Sequence, residues 1–340
     1  MSDQAEHTAR FECLGSWCSV LVIGNDGQRS AREALGDARH SLEAWHEAFS
    51  RFRSDSELSL LNEDPRREVP VSALMARLAA AVRTAGELSS GRVDATLVRQ
   101  LEQAGYATDL GRPLALEVAL SLAPERRPAR ASTAARWREV HVDRQANTVT
   151  RPPGVRIDSG GLAKGLFADV LAERLARHAG FAVDCAGDIA LGGRQRLLRP
   201  VHVEGPFDTR TLHTFHLRGG CVATSGIARR SWLDRQGRPS HHLLDAASGR
   251  PAFTGVVQAT ALAPSAVEAE ICAKAALLAG PRAAGSYLPH GGLIVHEDGS
   301  HRLIAAPPVL DASALARFAR GPGRGGERRS GEDIPESAAA

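Results

Sequence analysis

The sequence predicts an α+β fold in which helices and antiparallel-type strands alternate irregularly through one large domain. Three observations carry this expectation. Long helical patterns at 31–49, 71–89 and 166–178 are separated by short runs rich in Val, Ile and Thr. Some of these runs come as hairpin-like pairs, such as EVHVD and NTVTR ahead of Pro152 and Pro153. The regular strand–helix–strand repetition of a doubly wound parallel sheet is missing.

Taken in order, residues 1–10 read as a flexible N-terminus and 11–24 as a strand with a polar start. The helix at 31–49 places Leu35, Leu42 and Trp45 among its apolar positions. FSRFRSDSELSLLNED follows as a turn and a short helix start, because Ser and Asp side chains compete for backbone N–H groups there. After the helix at 71–89, GRVDATLVRQLEQAG gives a turn and another helix. The Ala-, Arg- and Pro-rich stretch 121–136 reads as a surface excursion. GVRIDSGG is a short strand, 166–178 a helix, and FAVDCAGDIALGG a strand with a glycine-rich turn. Strands are expected near 200–204 and 212–217, in CVATSGIARRSW as a strand–turn unit, and in VVQATALAP. SAVEAEICAKAALLAG is a helix that Ser265 can cap, and GGLIVHEDGS closes with a strand and turn. The domain thus spans 11–318, and 319–340 is too polar and glycine-rich to bury a core, so it reads as a disordered tail.

Composition narrows the function classes. The 340 residues are 43% hydrophobic, 24% charged and only 4% aromatic, so the core must rest on Ala, Leu and Val. A formal net charge of +3 without a basic stripe speaks against nucleic acid as a partner. Five cysteines, at 13, 18, 185, 221 and 272, form no close CxxC pair and support neither structural zinc nor a disulfide framework. No apolar run reaches the roughly 18–20 residues that span a bilayer. The first residues do not read as a signal peptide either, so the expectation is a cytoplasmic protein without membrane insertion.

DSGGLAKG, Asp158 to Gly165, is the densest chemical signal. Glycines let backbone N–H groups approach a ligand, a following helix start favours negative charge, and Lys164 adds a positive point charge. That combination suits a phosphate group. Further candidates lie downstream. Asp188 is flanked by glycine-rich sequence, and Thr224, Ser225 and Gly226 precede Arg229 and Arg230, whose guanidiniums suit a pyrophosphate. His241, His242 and Asp245 fall close together without zinc-site spacing. Glu270 and Lys274 face each other at i,i+4 on a helix, the spacing of an ordinary helical ion pair as well as of a site.

At these residues the chain resembles the FAD:protein FMN transferases, the ApbE-like flavin transferases. DSGGLAKGLFADVLAERL is similar to the family's D-L-G-G-I-A-K-G motif and helix. FSRFRSDSELSLLN, GRVDATLV, CAGDIALGG, ATSGIARR and SHHLLDAASGRP resemble further family segments in the same order, over residues 11–300. The resemblance implies the ApbE-like fold and an enzyme that cleaves the FAD pyrophosphate with Mg²⁺. It would transfer FMN to a Ser or Thr hydroxyl of an acceptor protein and release AMP. It implies flavin contacts at Leu14 and Phe52, a backbone-lined FAD contact at Arg92, Val93 and Asp94, and nucleotide contacts at Asp158 and Leu243. Lys164 would reach the phosphates, the Gly161 carbonyl would reach the metal, and His242 is a candidate proton acceptor. The metal-binding helix departs from the family's A-D-A-L-A-T-A: AEICAKA puts Glu270 at the ligating Asp and Lys274 at the ligating Thr. An ammonium cannot ligate Mg²⁺, a hard ion that takes oxygen donors. The alternative reading is therefore a catalytically altered FAD-binding protein or FAD pyrophosphatase that does not transfer FMN.

Overall fold

The chain folds around an eight-stranded antiparallel sheet, seen in a computed structural model that describes residues 5–108 and 113–305. In chain order, β1 (Glu6–Cys13) and β2 (Ser16–Ile23) precede α1 (Ala31–Ala48) and α2 (Glu57–Glu63). Then come β3 (Glu68–Pro70), α3 (Ala73–Leu88), α4 (Val98–Gln103), α5 (Leu116–Ser121), β4 (His141–Asp143) and β5 (Thr148–Thr150). Helix α6 (Ala163–Leu175) leads to β6 (Gly180–Cys185), β7 (Asp188–Gly192), β8 (Arg199–Glu204), β9 (Thr211–Leu217) and β10 (Gly220–Gly226). Short strands β11 (Ser231–Leu233), β12 (Pro239–His241), β13 (Leu244–Asp245) and β14 (Arg250–Pro251) precede β15 (Val256–Ala263). The described chain closes with α7 (Ala266–Ala283), β16 (Gly292–His296) and β17 (His301–Ile304). The sheet order is β1-β2-β6-β7-β10-β15-β16-β17.

Helices α1, α6 and α7 pack on this sheet. β15 is buried at every residue, which fits its almost unbroken apolar sequence and a central place covered on both faces. α7 is buried at every position from Ala269 to Gly280 and uses alanine to come close to its neighbours. The closest approach is at Gly165: a Cβ built there would lie 2.6 Å from Ala266 O. Only glycine lets α6 and the start of α7 meet this tightly, and the meeting brings Lys164 beside Glu270. Ser265 caps α7 by accepting from Glu268 N–H at 3.2 Å, as its sequence position predicts. Gly280, with φ +75°, and Pro281 kink the helix near its end.

Several expectations are corrected. Residues 6–10 are not flexible but form the outer half of β1, paired from Glu6↔Ile23 to Cys13↔Ser16 with β2. The polar stretch EHTAR disguised an edge strand whose outward face meets solvent. The expected single strand at 11–24 is thus the end of one strand and the whole of the next. FAVDCAGDIALGG is likewise a hairpin, β6 and β7, turning at Ala186 and Gly187. GVRIDSGG forms no strand: Ile157 N–H is taken by Asn62 Oδ1 at 2.7 Å and Asp158 N–H by Ala95 O at 2.8 Å, so no neighbouring strand pairs with it. The 121–136 stretch is anchored within its length, since Ala129 is buried and its N–H donates to Leu278 O at 2.8 Å. The expected tail 319–340 lies outside the described residues. All five cysteines are free and buried. No helix among the described residues is long and apolar enough to cross a membrane.

Candidate active site

The DSGGLAKG turn is held from both sides before it reaches α6. Ser159 Oγ donates to Phe49 O at 2.7 Å, and the side chain of Asn62 bonds both backbone groups of Ile157. Within the turn, Gly160 N–H donates to Asp158 Oδ2 at 3.1 Å. Lys164, in the first turn of α6, then points into a cluster of four charges. Its Nζ lies 2.7 Å from Asp188 Oδ2 and 3.7 Å from Glu270 Oε1. Lys274 Nζ lies 2.9 Å from the same Glu270 Oε1, and Gly165 N–H donates to Glu270 Oε2 at 3.0 Å. Asp188 starts β7, so one strand supplies one charge of the cluster, α6 one and α7 two.

The electrostatics follow from burial. Glu270 is fully buried; burial alone would raise its pKa, but Lys274 and Lys164 outweigh this and hold it below the ordinary value. Asp188 is equally buried, and there burial prevails over Lys164 and holds the carboxyl above its usual range. Its Oδ1 has no partner among the described residues. Lys164 is opposed by burial but raised by Asp188 and Glu270, so it keeps its proton.

A second surface adjoins the turn. Arg51 Nε donates to Asp158 Oδ1 at 3.0 Å, and its side chain is only 6% exposed. The guanidinium lies over Phe52 and Tyr106, 4.5 and 4.6 Å from the ring centroids. Tyr106 continues to Trp232 at 5.5 Å between centroids, and Phe52 is 43% exposed. Arg51 Nη2 is buried with no partner among the described residues. The sequence reading singled out Phe52 but missed Arg51, Tyr106 and Trp232. A signal existed in the arginine set between two phenylalanines in FSRFR, but nothing local joins it to residues 106 and 232.

A third group closes the site. Leu14 and Gly15 form the tight β1–β2 turn, both with positive φ, at 57° and 69°. A non-glycine residue held there is strained by about 1–3 kcal/mol, a feature common where a ligand is contacted. Arg230 Nη2 donates to Leu14 O at 3.3 Å, and His242 Nδ1 lies 3.4 Å from Arg230 O. Burial, with Arg230, His241 and Lys274, keeps the His242 imidazole well below its ordinary pKa. A carbonyl only accepts, so the ring proton belongs on Nδ1 and Nε2 retains its lone pair.

The other sequence candidates fall into supporting positions. Arg92 Nη1 donates to Tyr287 Oη at 2.7 Å, and Val93 is buried. Asp94 is raised by burial against its bonds from Thr96. Leu243 is buried, with its N–H on His241 Nδ1 at 3.2 Å. His241 packs edge-on against Phe253, and Asp245 Oδ1 accepts from Arg130 N–H at 2.6 Å, so neither joins His242 in a metal site. Thr224 Oγ1 meets Thr260 Oγ1 at 2.8 Å across β10 and β15, while Arg229 is exposed.

A magnesium ion does not fit the expected donor set. Mg²⁺ takes oxygen ligands at about 2.0–2.1 Å in near-octahedral geometry. Here both Glu270 oxygens already accept hydrogen bonds, and the third position carries an ammonium instead of an oxygen. The Lys274 stem also covers the turn: a Cβ built on Gly161 would lie 3.4 Å from Lys274 Cε. The described residues contain no group of three or more His, Cys, Asp and Glu side chains able to hold a metal.

Comparison with known proteins shows what the chain is similar to. A model of the ApbE family matches residues 14–294. The FAD:protein FMN transferase of Salmonella typhimurium is 26% identical over 292 residues, covering 83% of this chain and 81% of that protein. The FAD:protein FMN transferase of Treponema pallidum is 28% identical over 293 residues, covering 78% and 77%. Among solved structures, the ApbE protein of Thermotoga maritima superposes with a TM-score of 0.72 at 25% identity, covering 93% of this chain and all of that one. The flavin transferase ApbE of Vibrio cholerae does so at 0.67 and 19% identity, covering 92% and 99%.

Proposed function

Because the chain belongs to the ApbE family, we propose that it is an FAD:protein FMN transferase. The observation that carries this is the Arg51–Asp158 pair, which joins an aromatic shelf to the lysine-bearing turn. Aromatic rings beside a cluster that holds two ammonium groups, Lys164 and Lys274, suit a flavin dinucleotide: stacking for the ring, and N–H donors with positive charge for the diphosphate. Phe52, Tyr106 and Trp232 would receive the isoalloxazine, with Leu14 at the strained turn beside Arg230. Lys164 and Arg230 would hold the phosphates. Val93, Asp94 and Leu243 would line the nucleotide from the opposite segments, with Arg92 holding that loop through Tyr287.

In the reaction, the hydroxyl oxygen of an acceptor Ser or Thr attacks the phosphorus on the FMN side. The P–O bond to the AMP phosphate breaks, AMP leaves, and a phosphodiester joins FMN to the acceptor. His242 Nε2, neutral and with a free lone pair, takes the hydroxyl proton. Lys164 stabilises the charge that gathers on the phosphate oxygens. The partner is thus a protein with an exposed Ser/Thr flavinylation motif, and the cytoplasmic compartment expected from the sequence belongs to this same reading. The test is incubation with FAD and acceptor peptides bearing such a motif. A peptide mass increased by FMN less water, with equimolar AMP, is the expected result; FAD cleaved to free FMN and AMP with the acceptor unchanged would replace this reading by a pyrophosphatase.

A further inference from the structure

We infer that the Lys274 ammonium occupies the position the family assigns to its metal ion, so that this site holds the FAD diphosphate with cations carried by the chain and requires no divalent ion. The inference rests on the FAD reading above and concerns how the same site is charged.

Three residues define where the metal would be: the Gly161 carbonyl, Glu270 and the position of Lys274. Lys274 lies beside both Glu270 and Gly161. Its Nζ is 2.9 Å from Glu270 Oε1, and its Cε is 3.4 Å from a Cβ built on Gly161. The side chain is 8% exposed, so the ammonium is a fixed, packed charge and not a mobile surface lysine. One of its three N–H groups is spent on Glu270, and the others remain donors of the kind that phosphate oxygens accept. Glu270 is one methylene longer than the aspartate of the family motif, and that length lets it meet both Lys274 and the Gly165 N–H. The two departures therefore fit each other: the longer acid reaches the lysine that replaces its metal. An ammonium carries one charge where Mg²⁺ carries two. Lys164, 3.7 Å from the same Glu270 oxygen, stands beside it as a second cation.

The experiment uses two independent readouts on the full chain. Flavin fluorescence titration measures FAD affinity with excess chelator and with MgCl₂. Electron paramagnetic resonance of added Mn²⁺, without FAD, measures whether the protein takes up a divalent ion. The wild type should bind FAD equally in chelator and in MgCl₂ and leave the free Mn²⁺ signal intact. The paired variant Glu270→Asp with Lys274→Thr restores oxygen donors and should deplete the Mn²⁺ signal and make FAD binding depend on Mg²⁺. A second pair, Glu270→Gln with Lys274→Met, removes both charges without stranding one and should weaken FAD binding on the order of ten- to a hundred-fold. Circular dichroism checks that each variant is folded. Mn²⁺ uptake by the wild type, or FAD binding lost in chelator, overturns the inference. Absence of FAD binding under every condition sinks the FAD reading instead, and the Mn²⁺ arm still decides whether Lys274 excludes the ion.

Discussion

At His242 the inference from geometry to chemistry is a single step. The Arg230 carbonyl fixes the proton on Nδ1, and burial keeps the ring neutral, so Nε2 is available as a base at neutral pH. Replacing His242 with Ala should slow FMN transfer on the order of 10²–10⁴-fold while FAD affinity stays within about threefold. Single-turnover transfer and fluorescence titration separate the two quantities; equal loss in both would make His242 a binding residue only. Because its pKa is lowered, the base form survives as the pH falls through the ordinary histidine range, and transfer should show no acid limb from this residue near pH 6.5. Arg51 makes the contrasting case. Arg51→Met removes the partner of Asp158 and the cation over Phe52 and Tyr106. The expected result is FAD affinity weaker by about ten- to a hundred-fold with a much smaller change in the transfer rate of saturated enzyme. A variant that binds FAD like the wild type would detach the aromatic shelf from the site.

Among the elements, the contact between α6 and α7 decides whether the charged cluster exists. Gly165→Ala puts a methyl 2.6 Å from Ala266 O and must push the helices apart. The expected cost is about 1–3 kcal/mol in urea unfolding, with FAD affinity falling as Lys164 leaves Glu270. The same junction carries a pH dependence. Asp169 on α6 accepts Ala266 N–H at 2.6 Å and Val267 N–H at 3.1 Å, yet burial raises its pKa to about 6. A carboxyl that binds its proton more tightly folded than unfolded favours the folded state at low pH. That contribution is complete below the unfolded value of 3.8 and is lost as the pH rises to about 6. Relative to Asp169→Asn, the wild type should lose on the order of 1–2 kcal/mol across this window, allowing for a partly exposed side chain. Thermal melts of both proteins from pH 4 to 7 would show it; a constant gap would mean that the carboxyl does not titrate there. Little of this junction could be read from the sequence. Lys164, Glu270 and Lys274 were visible as candidates because each sits in a patterned segment. Glu270 and Lys274 face each other by their spacing, but the approach of Lys164 to them depends on a glycine whose importance appears only when the second helix lies against it.

Across the whole molecule, legibility followed locality. Helices α1, α3, α6 and α7 and the capping role of Ser265 were evident from periodicity and short-range chemistry. β1 was half lost because this edge strand carries polar residues on its open face, and residues 155–158 look like a strand but spend their backbone bonds on Asn62 and Ala95. The aromatic shelf was invisible, since Phe52, Tyr106 and Trp232 meet only after the chain has closed around the sheet. That closure leads to a final prediction. One continuous apolar cluster runs from Phe11 through α1, α3, α6 and α7 to Val295, and all five buried thiols belong to it. A small second cluster of Leu97, Leu101, Leu244 and Ala246 stands apart from it, and a main core of this extent unfolds as a unit if no part of it is stable alone. Thiol labelling of the five cysteines, far-UV circular dichroism and tryptophan fluorescence should then give coincident urea transitions, with negligible labelling before the midpoint. FAD, binding only the folded form, should move all three curves together to higher urea. Two of the thiols, Cys13 and Cys18, flank the Leu14–Gly15 turn of the site itself. Labelling there ahead of the global transition would show that the β1–β2 hairpin opens on its own, and would divide the core that the packing joins.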